Sequence, residues 1–117
     1  MPTTSSSSRA WYARRAEALA AWRLRLLGYR IVGRNVRVAG REVDVLARRG
    51  GTLVVCEVKA RRTGRRGRGE EAVGAAKQRR LREAAEVLVG ADRSVSRVRF
   101  DVIAVDGFRL RHIRDAF

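Results

Sequence analysis

Two short apolar runs joined by a Gly-Gly pair constrain this chain more than anything else in it. They lie in Gly40–Arg62, GREVDVLARRGGTLVVCEVKARR, as Glu42–Ala47 and Thr52–Ala60 with Arg48-Arg49-Gly50-Gly51 between them. Val43, Val45, Leu46, Leu53, Val54, Val55, Cys56 and Val58 supply the β-branched and aliphatic content of strands, and Gly-Gly signals a tight turn, so the stretch predicts a β-hairpin. A buried hairpin should avoid charge, yet Asp44 sits in its first strand and Glu57 and Lys59 in its second. Side chains alternate faces along a strand, so Glu57 and Lys59, two apart, project to the same side. Carboxylates and an ammonium converging on one face carry a desolvation cost that a divalent cation would offset. A metal-dependent site is therefore the first expectation.

At 117 residues the chain is one domain, large enough for a core. No apolar run approaches the roughly 20 residues of a membrane span, and the polar start, MPTTSSSSRA, reads as a flexible tail over residues 1–8 ahead of a domain at 9–117. One cysteine, Cys56, can form neither an internal disulfide nor a Cys-type zinc site, which fits a reducing cytoplasm. Net charge is +15, from 27 basic and 12 acidic residues. Such a charge predicts a polyanionic partner, above all nucleic acid; Arg-, Ala- and Gly-rich coding bias is the alternative source. Within that bias only Lys59 and Lys77 are lysines. Lysine, unlike arginine, shifts its pKa readily and acts as a compact charge, which argues for a chemical role for Lys59.

Residues 9–27 have helical spacing through Ala13, Ala16, Leu19, Ala20, Trp22, Leu24, Leu26 and Leu27, with Gly28 as a stop. Glu17, the one acid in this basic helix, flanks its apolar face; it either pairs with Arg14, Arg23 or Arg25 or serves the site. Tyr29–Val38 reads as a strand broken near Gly33. After the hairpin, Ala60–Gly69 carries Arg61, Arg62, Arg65, Arg66 and Arg68 among glycines, as either a solvated linker or a phosphate-contacting flap. A second helix should begin at Glu70 and Glu71 and stop at Gly90, with Lys77 on its apolar stripe, snorkelling past the core or reaching the charged hairpin face. Arg97–Val105 and Phe108–Ile113 complete the strands around an Asp106-Gly107 turn. Asp101 is either a structural partner of Arg97 or Arg99 or a buttress of the site, and His112 reads as an ordinary strand residue. The order αβββαββ predicts an α/β fold: an antiparallel meander plus a strand made parallel by the crossover helix.

An acid followed by Glu-x-Lys on the adjoining strand, Asp44 with Glu57-Val58-Lys59, resembles the PD-(D/E)-x-K nuclease superfamily. A longer set of motifs resembles the bacterial YraN family of predicted endonucleases, themselves similar to archaeal Holliday junction resolvases. The matching pieces are Glu17, Asn35-Val36-Arg37, Gly40-Arg41-Glu42-Val43-Asp44-Val45-Leu46, Cys56-Glu57-Val58-Lys59-Ala60-Arg61, Ala72-Val73 with Lys77, and Arg99-Phe100-Asp101-Val102. Ala16 and Arg41 stand where the family has glycine.

The resemblance implies a restriction-endonuclease-like fold and metal-assisted hydrolysis of phosphodiester bonds, in DNA rather than RNA, including branched or structured DNA. Asp44, Glu57 and the Val58 carbonyl would hold Mg²⁺ or Mn²⁺, with Glu42 in reserve. Lys59 would position or deprotonate the nucleophile, and Glu17 would hold a second metal or a metal-bound water. Lys77 and Arg61–Arg68 would bind phosphates. Paired incisions of the resolvase kind would need a homodimer. The alternative is a non-catalytic nucleic-acid-binding domain that kept the fold.

Overall fold

The computed structural model describes residues 4–61 and 73–117, with side chains over 10–60 and 73–117. Seven elements follow one another: α1 (Thr4–Leu26), β1 (Arg30–Val38), β2 (Arg41–Arg49), β3 (Thr52–Arg61), α2 (Ala75–Ala91), β4 (Arg97–Asp106) and β5 (Arg109–Ile113). The strands form one mixed sheet in the order β1-β2-β3-β4-β5. β1, β2 and β3 are an antiparallel meander, β3 and β4 run parallel, and β5 returns antiparallel. The α/β class and the αβββαββ order match the sequence expectation, and the hairpin closes at Gly50-Gly51 between paired Arg49 and Thr52. Gly50 takes a positive φ of 57°, where a side chain would be strained.

The two helices cover opposite faces of the sheet. Alternation along β3 sends Val54 and Cys56 into a cluster with Ala16, Ala20 and Leu24 of α1. Leu53 and Val55 join Leu81, Ala84 and Ala85 of α2 on the other side. Both faces are apolar because both are covered, so β3 and β4 read as nearly continuous hydrophobic runs.

Three expectations need correction. α1 begins at Thr4, so residues 4–8, read as tail, are helical; once the following turns are nucleated, each added residue gains a hydrogen bond, and serine's helix penalty is small. Trp22 and Leu26, counted towards the helix's apolar content, face outward at 58% and 73% exposure. α2 starts at Ala75 on Gly74, which offers no side-chain cap, and continues through Gly90 to Ala91. Glu70 and Glu71, the expected start, lie outside the described residues, as do Arg62, Arg65, Arg66, Arg68 and the side chain of Arg61.

Candidate active site

The site lies where two paired strands part. β2 and β3 are in register from Arg49↔Thr52 to Val45↔Cys56 and pair no further. Each nevertheless continues beside its other neighbour, β2 with β1 to Val38↔Arg41 and β3 with β4 to Arg61↔Asp106. The next residues out are Asp44 and Glu57. Val43 packs in the α2 cluster and Val45 in the α1 cluster, so β2 turns over at Asp44. The Val58 N–H, denied a backbone acceptor on β2, donates to Asp44 Oδ2 at 2.9 Å. Extended backbone sends a residue's N–H and C=O towards the same neighbour, so the Val58 carbonyl also faces this fork.

Glu57 is 94% buried, on a relative accessibility of 6%. Its Oε2 lies 3.0 Å from Lys77 Nζ on α2. Its Oε1 is buried with no hydrogen-bond partner among the described residues. A carboxylate oxygen left so is costly, and such an orphan points to something that completes it. Beside it, burial and the charge of Glu57 push the Asp44 carboxyl from 3.8 up to about 7, against the opposing pull of the Val58 N–H and Lys77; Glu17 adds a smaller upward push. Two acids share a space that favours one proton or a cation between them.

Lys59 is half-buried, on the Glu57 side of β3, and pairs with no acid among the described residues. Of the two readings for Lys77, the structure realises contact with the charged hairpin face, through the salt bridge to Glu57. Glu17 is buried at 9% exposure and accepts from Asn35 Nδ2 at 2.8 Å, so its partner is none of the arginines considered from sequence. Asn35 had a place in a motif but no assigned role. The register flanking it, Arg34↔Val45 and Val36↔Val43, sets it opposite Asp44, and its φ of 51° is a conformation asparagine tolerates better than most residues. Glu42 is exposed and lines a separate cleft with Lys77. Among the described residues no three carboxylate, imidazole or thiolate side chains converge to cage a cation alone. A metal here would need the Val58 carbonyl and water besides Asp44 and Glu57, a donor set of oxygens that suits Mg²⁺ or Mn²⁺.

Beneath the fork, Asp101 is fully buried and engaged on every side. Arg99 grips it with two bonds of 2.8 Å, His112 Nε2 lies 2.7 Å from Oδ2, and the Asp115 N–H reaches Oδ1 at 3.2 Å. Burial would raise its pKa, but His112, Arg99 and the Asp115 N–H override it and hold the carboxyl at about 2. Asp101 is thus the structural partner of Arg99. His112 is more than an ordinary strand residue, since its Nδ1 also lies 3.3 Å from Arg23 Nε. Cys56 pairs beside Asp101, and burial, with the nearby Asp101, Asp44 and Glu57, pushes its thiol well up, so it is inert.

These features define a class: an α/β domain whose mixed sheet forks around a buried glutamate and a half-buried aspartate, with two lysines on the glutamate side. The family model described as uncharacterised protein family UPF0102 matches residues 16–105, and the chain belongs to that family, the YraN group. A UPF0102 protein of Geobacter sulfurreducens is 45% identical over 109 residues, covering 88% of this chain and 85% of that protein. Another, from Symbiobacterium thermophilum, is 47% identical over 107 residues, covering 86% and 91%. A third, from Burkholderia thailandensis, is 47% identical over 87 residues; the match covers 74% of this chain and 60% of that longer protein. Glu17, Asp44, Glu57, Lys59, Lys77 and Asp101 all fall inside the matched 16–105. Among the described residues no helix is long and apolar enough to cross a membrane.

Proposed function

We propose that this protein is a metal-dependent endonuclease of restriction-endonuclease-like fold that hydrolyses phosphodiester bonds in DNA, including branched or structured DNA. The observation that carries the reading is the buried Glu57 Oε1, without a hydrogen-bond partner among the described residues, beside an Asp44 carboxyl pushed up to about 7. Asp44, Glu57 and the Val58 carbonyl would hold Mg²⁺ or Mn²⁺. When bound, that ion supplies a water of lowered pKa and neutralises charge on the phosphate. Asp44 is oriented for this by the Val58 N–H. Lys59, on the Glu57 side of β3, holds the nucleophilic water or takes its proton. Lys77 offsets the charge of Glu57 and stands ready for a phosphate oxygen. Glu17, fixed by Asn35, adds a buried acid on the α1 side near Asp44 that would hold a second metal or a metal-bound water.

A second reading, a nucleic-acid binder without catalysis, draws on the +15 charge and on the lack of three converging side-chain ligands among the described residues. The two part in a cleavage assay. Labelled linear duplex, single strand, flap, four-way junction and RNA would be incubated with Mg²⁺ or Mn²⁺, with Asp44→Ala and Glu57→Ala proteins in parallel. The nuclease reading expects metal-dependent cutting of a DNA substrate that falls to background in both variants while binding persists. Binding without cutting by the wild type in either metal would transfer the assignment to the binder.

A further inference from the structure

A second feature adjoins the carboxylate fork. Arg37 at the end of β1, Arg41 at the start of β2, and Lys77 and Arg80 on α2 line one cleft of about 200 Å³, with Leu81 and Glu42 in its wall. The β1–β2 turn and the distant α2 thus bring four cations together against one lining carboxylate. Like charges at this range repel; Glu83 and Glu57 offset Arg41 and Lys77, while Arg37 and Arg80 are left to an anion or bulk water.

The four cations are not equivalent. Arg41 is held in place: it donates to Glu83 Oε1 at 2.9 and 2.6 Å and to the Ala39 carbonyl at 2.7 Å. Lys77 is shared with the fork through Glu57. Arg37 and Arg80 are exposed and make no ion pair among the described residues; the contact Arg37 makes is to the Gly40 carbonyl, at 3.3 Å. A fixed arginine and a shared lysine therefore flank two guanidinium groups whose charge is not matched by an acid. Guanidinium groups suit phosphate oxygens, which they engage through paired N–H donors.

Size narrows the ligand further. At about 30 Å³ per water the cleft holds some six or seven waters, and it falls below the ~300 Å³ at which pockets for drug-sized molecules begin. It accommodates a phosphodiester group with its first waters, without the base and sugar. Contacts to the backbone position a nucleic acid and carry no sequence information.

We propose that this cleft is a backbone-phosphate subsite, in which Arg37 and Arg80 hold a phosphodiester neighbouring the one at the Asp44–Glu57 fork and Lys77 bridges the two. The proposal rests on the nuclease reading for its choice of ligand, and it assigns the subsite to internal phosphates, read for charge and spacing.

The test is equilibrium binding of a short fluorescent DNA duplex by anisotropy, in EDTA so that no cutting intervenes, across about 50 to 200 mM salt. Arg37→Ala/Arg80→Ala would be compared with the wild type and with Arg25→Ala/Arg93→Ala, which removes the same charge from two exposed positions away from the cleft. The expected result is roughly tenfold weaker binding for the cleft variant and a salt-dependence slope shallower by about 0.9, the value for one lost phosphate contact. The control pair should change affinity by less than about twofold, set against that tenfold loss. Wild-type-like binding by the cleft variant, or an equal loss in the control pair, would overturn the subsite. Failure of the nuclease reading shows elsewhere, as absent cutting in metal with the cleft's salt slope unchanged.

Discussion

Asp101→Ala is expected to destabilise the protein by about 3–5 kcal/mol, read as a lower urea midpoint. Asp101 has no exposed surface, and its removal strands two partners at once. Arg99, with a side chain only 11% exposed, keeps its charge, which the hydrogen bond to Asp101 now favours. His112, 2% exposed, loses the acceptor 2.7 Å away that fixes its ring. What remains for Arg99 is the Tyr29 hydroxyl at 2.8 Å and the Tyr29 ring, neither of which neutralises a buried cation. Small domains have about 5–15 kcal/mol in total, so this loss takes a large part of it. Asp101→Asn keeps the shape and one acceptor and should cost less, which keeps the comparison measurable if the alanine variant does not fold. The pH dependence has a definite sign. Asp101 is lowered from 3.8 to about 2, so its contribution is present above pH ~4 and lost as pH falls through 4 towards 2. A midpoint for Asp101→Ala within about 1 kcal/mol of wild type would show that the network does not hold the sheet.

Asp44 should behave in the opposite sense. Its carboxyl is raised from 3.8 to about 7, so between those values the folded protein binds a proton that the unfolded chain does not. Stability from this group is fully present below pH ~4 and declines by about 1.4 kcal/mol per unit until both states are ionised near pH 7. Across the window the wild type loses on the order of 4 kcal/mol through the coupled Asp44–Glu57 pair. Asn mimics the protonated acid and can still accept from the Val58 N–H. Asp44→Asn is therefore expected to equal the wild type near pH 4 and to exceed it in stability at pH ~8 in metal-free buffer, measured as a difference in urea midpoints. A site that destabilises its own fold is the usual accompaniment of a group kept for chemistry. Equal pH profiles for the two proteins would remove the electrostatic basis of the fork.

Much of the sheet was legible because alternation and turn chemistry are local. Val54, Cys56, Leu53 and Val55 alternate along β3, Gly50-Gly51 marks the hairpin, and the helix between β3 and β4 forces a parallel pair. Asp44, Glu57 and Lys59 stood out as charge within those apolar strands. Elements that depend on distant partners were not readable. Nothing in the sequence places His112 against Asp101, which requires β5 to fold back with His112 opposite Ile103. Nor does Asn35 announce its positive φ or its bond to Glu17, since the register shift between Ile31 and Gly33 decides where β1 presents its side chains. Lys77 sat on a helical stripe with two outcomes open, and only the packing of α2 across the sheet selects Glu57. The cationic cleft combines β1, β2 and α2, so its arginines were invisible within a composition already rich in arginine.

The Asp44–Glu57 fork is expected to bind a divalent cation. Calorimetric titration of Mn²⁺ into the wild type, Asp44→Asn, Glu57→Gln and Arg37→Ala/Arg80→Ala tests it directly, without nucleic acid. Binding at one site should weaken at least tenfold, about 1.4 kcal/mol, in the first two variants and persist unchanged in the third. Equal Mn²⁺ affinity in the wild type and Glu57→Gln would contradict a cation at the fork, since the buried Glu57 Oε1 would then have no part in holding the ion.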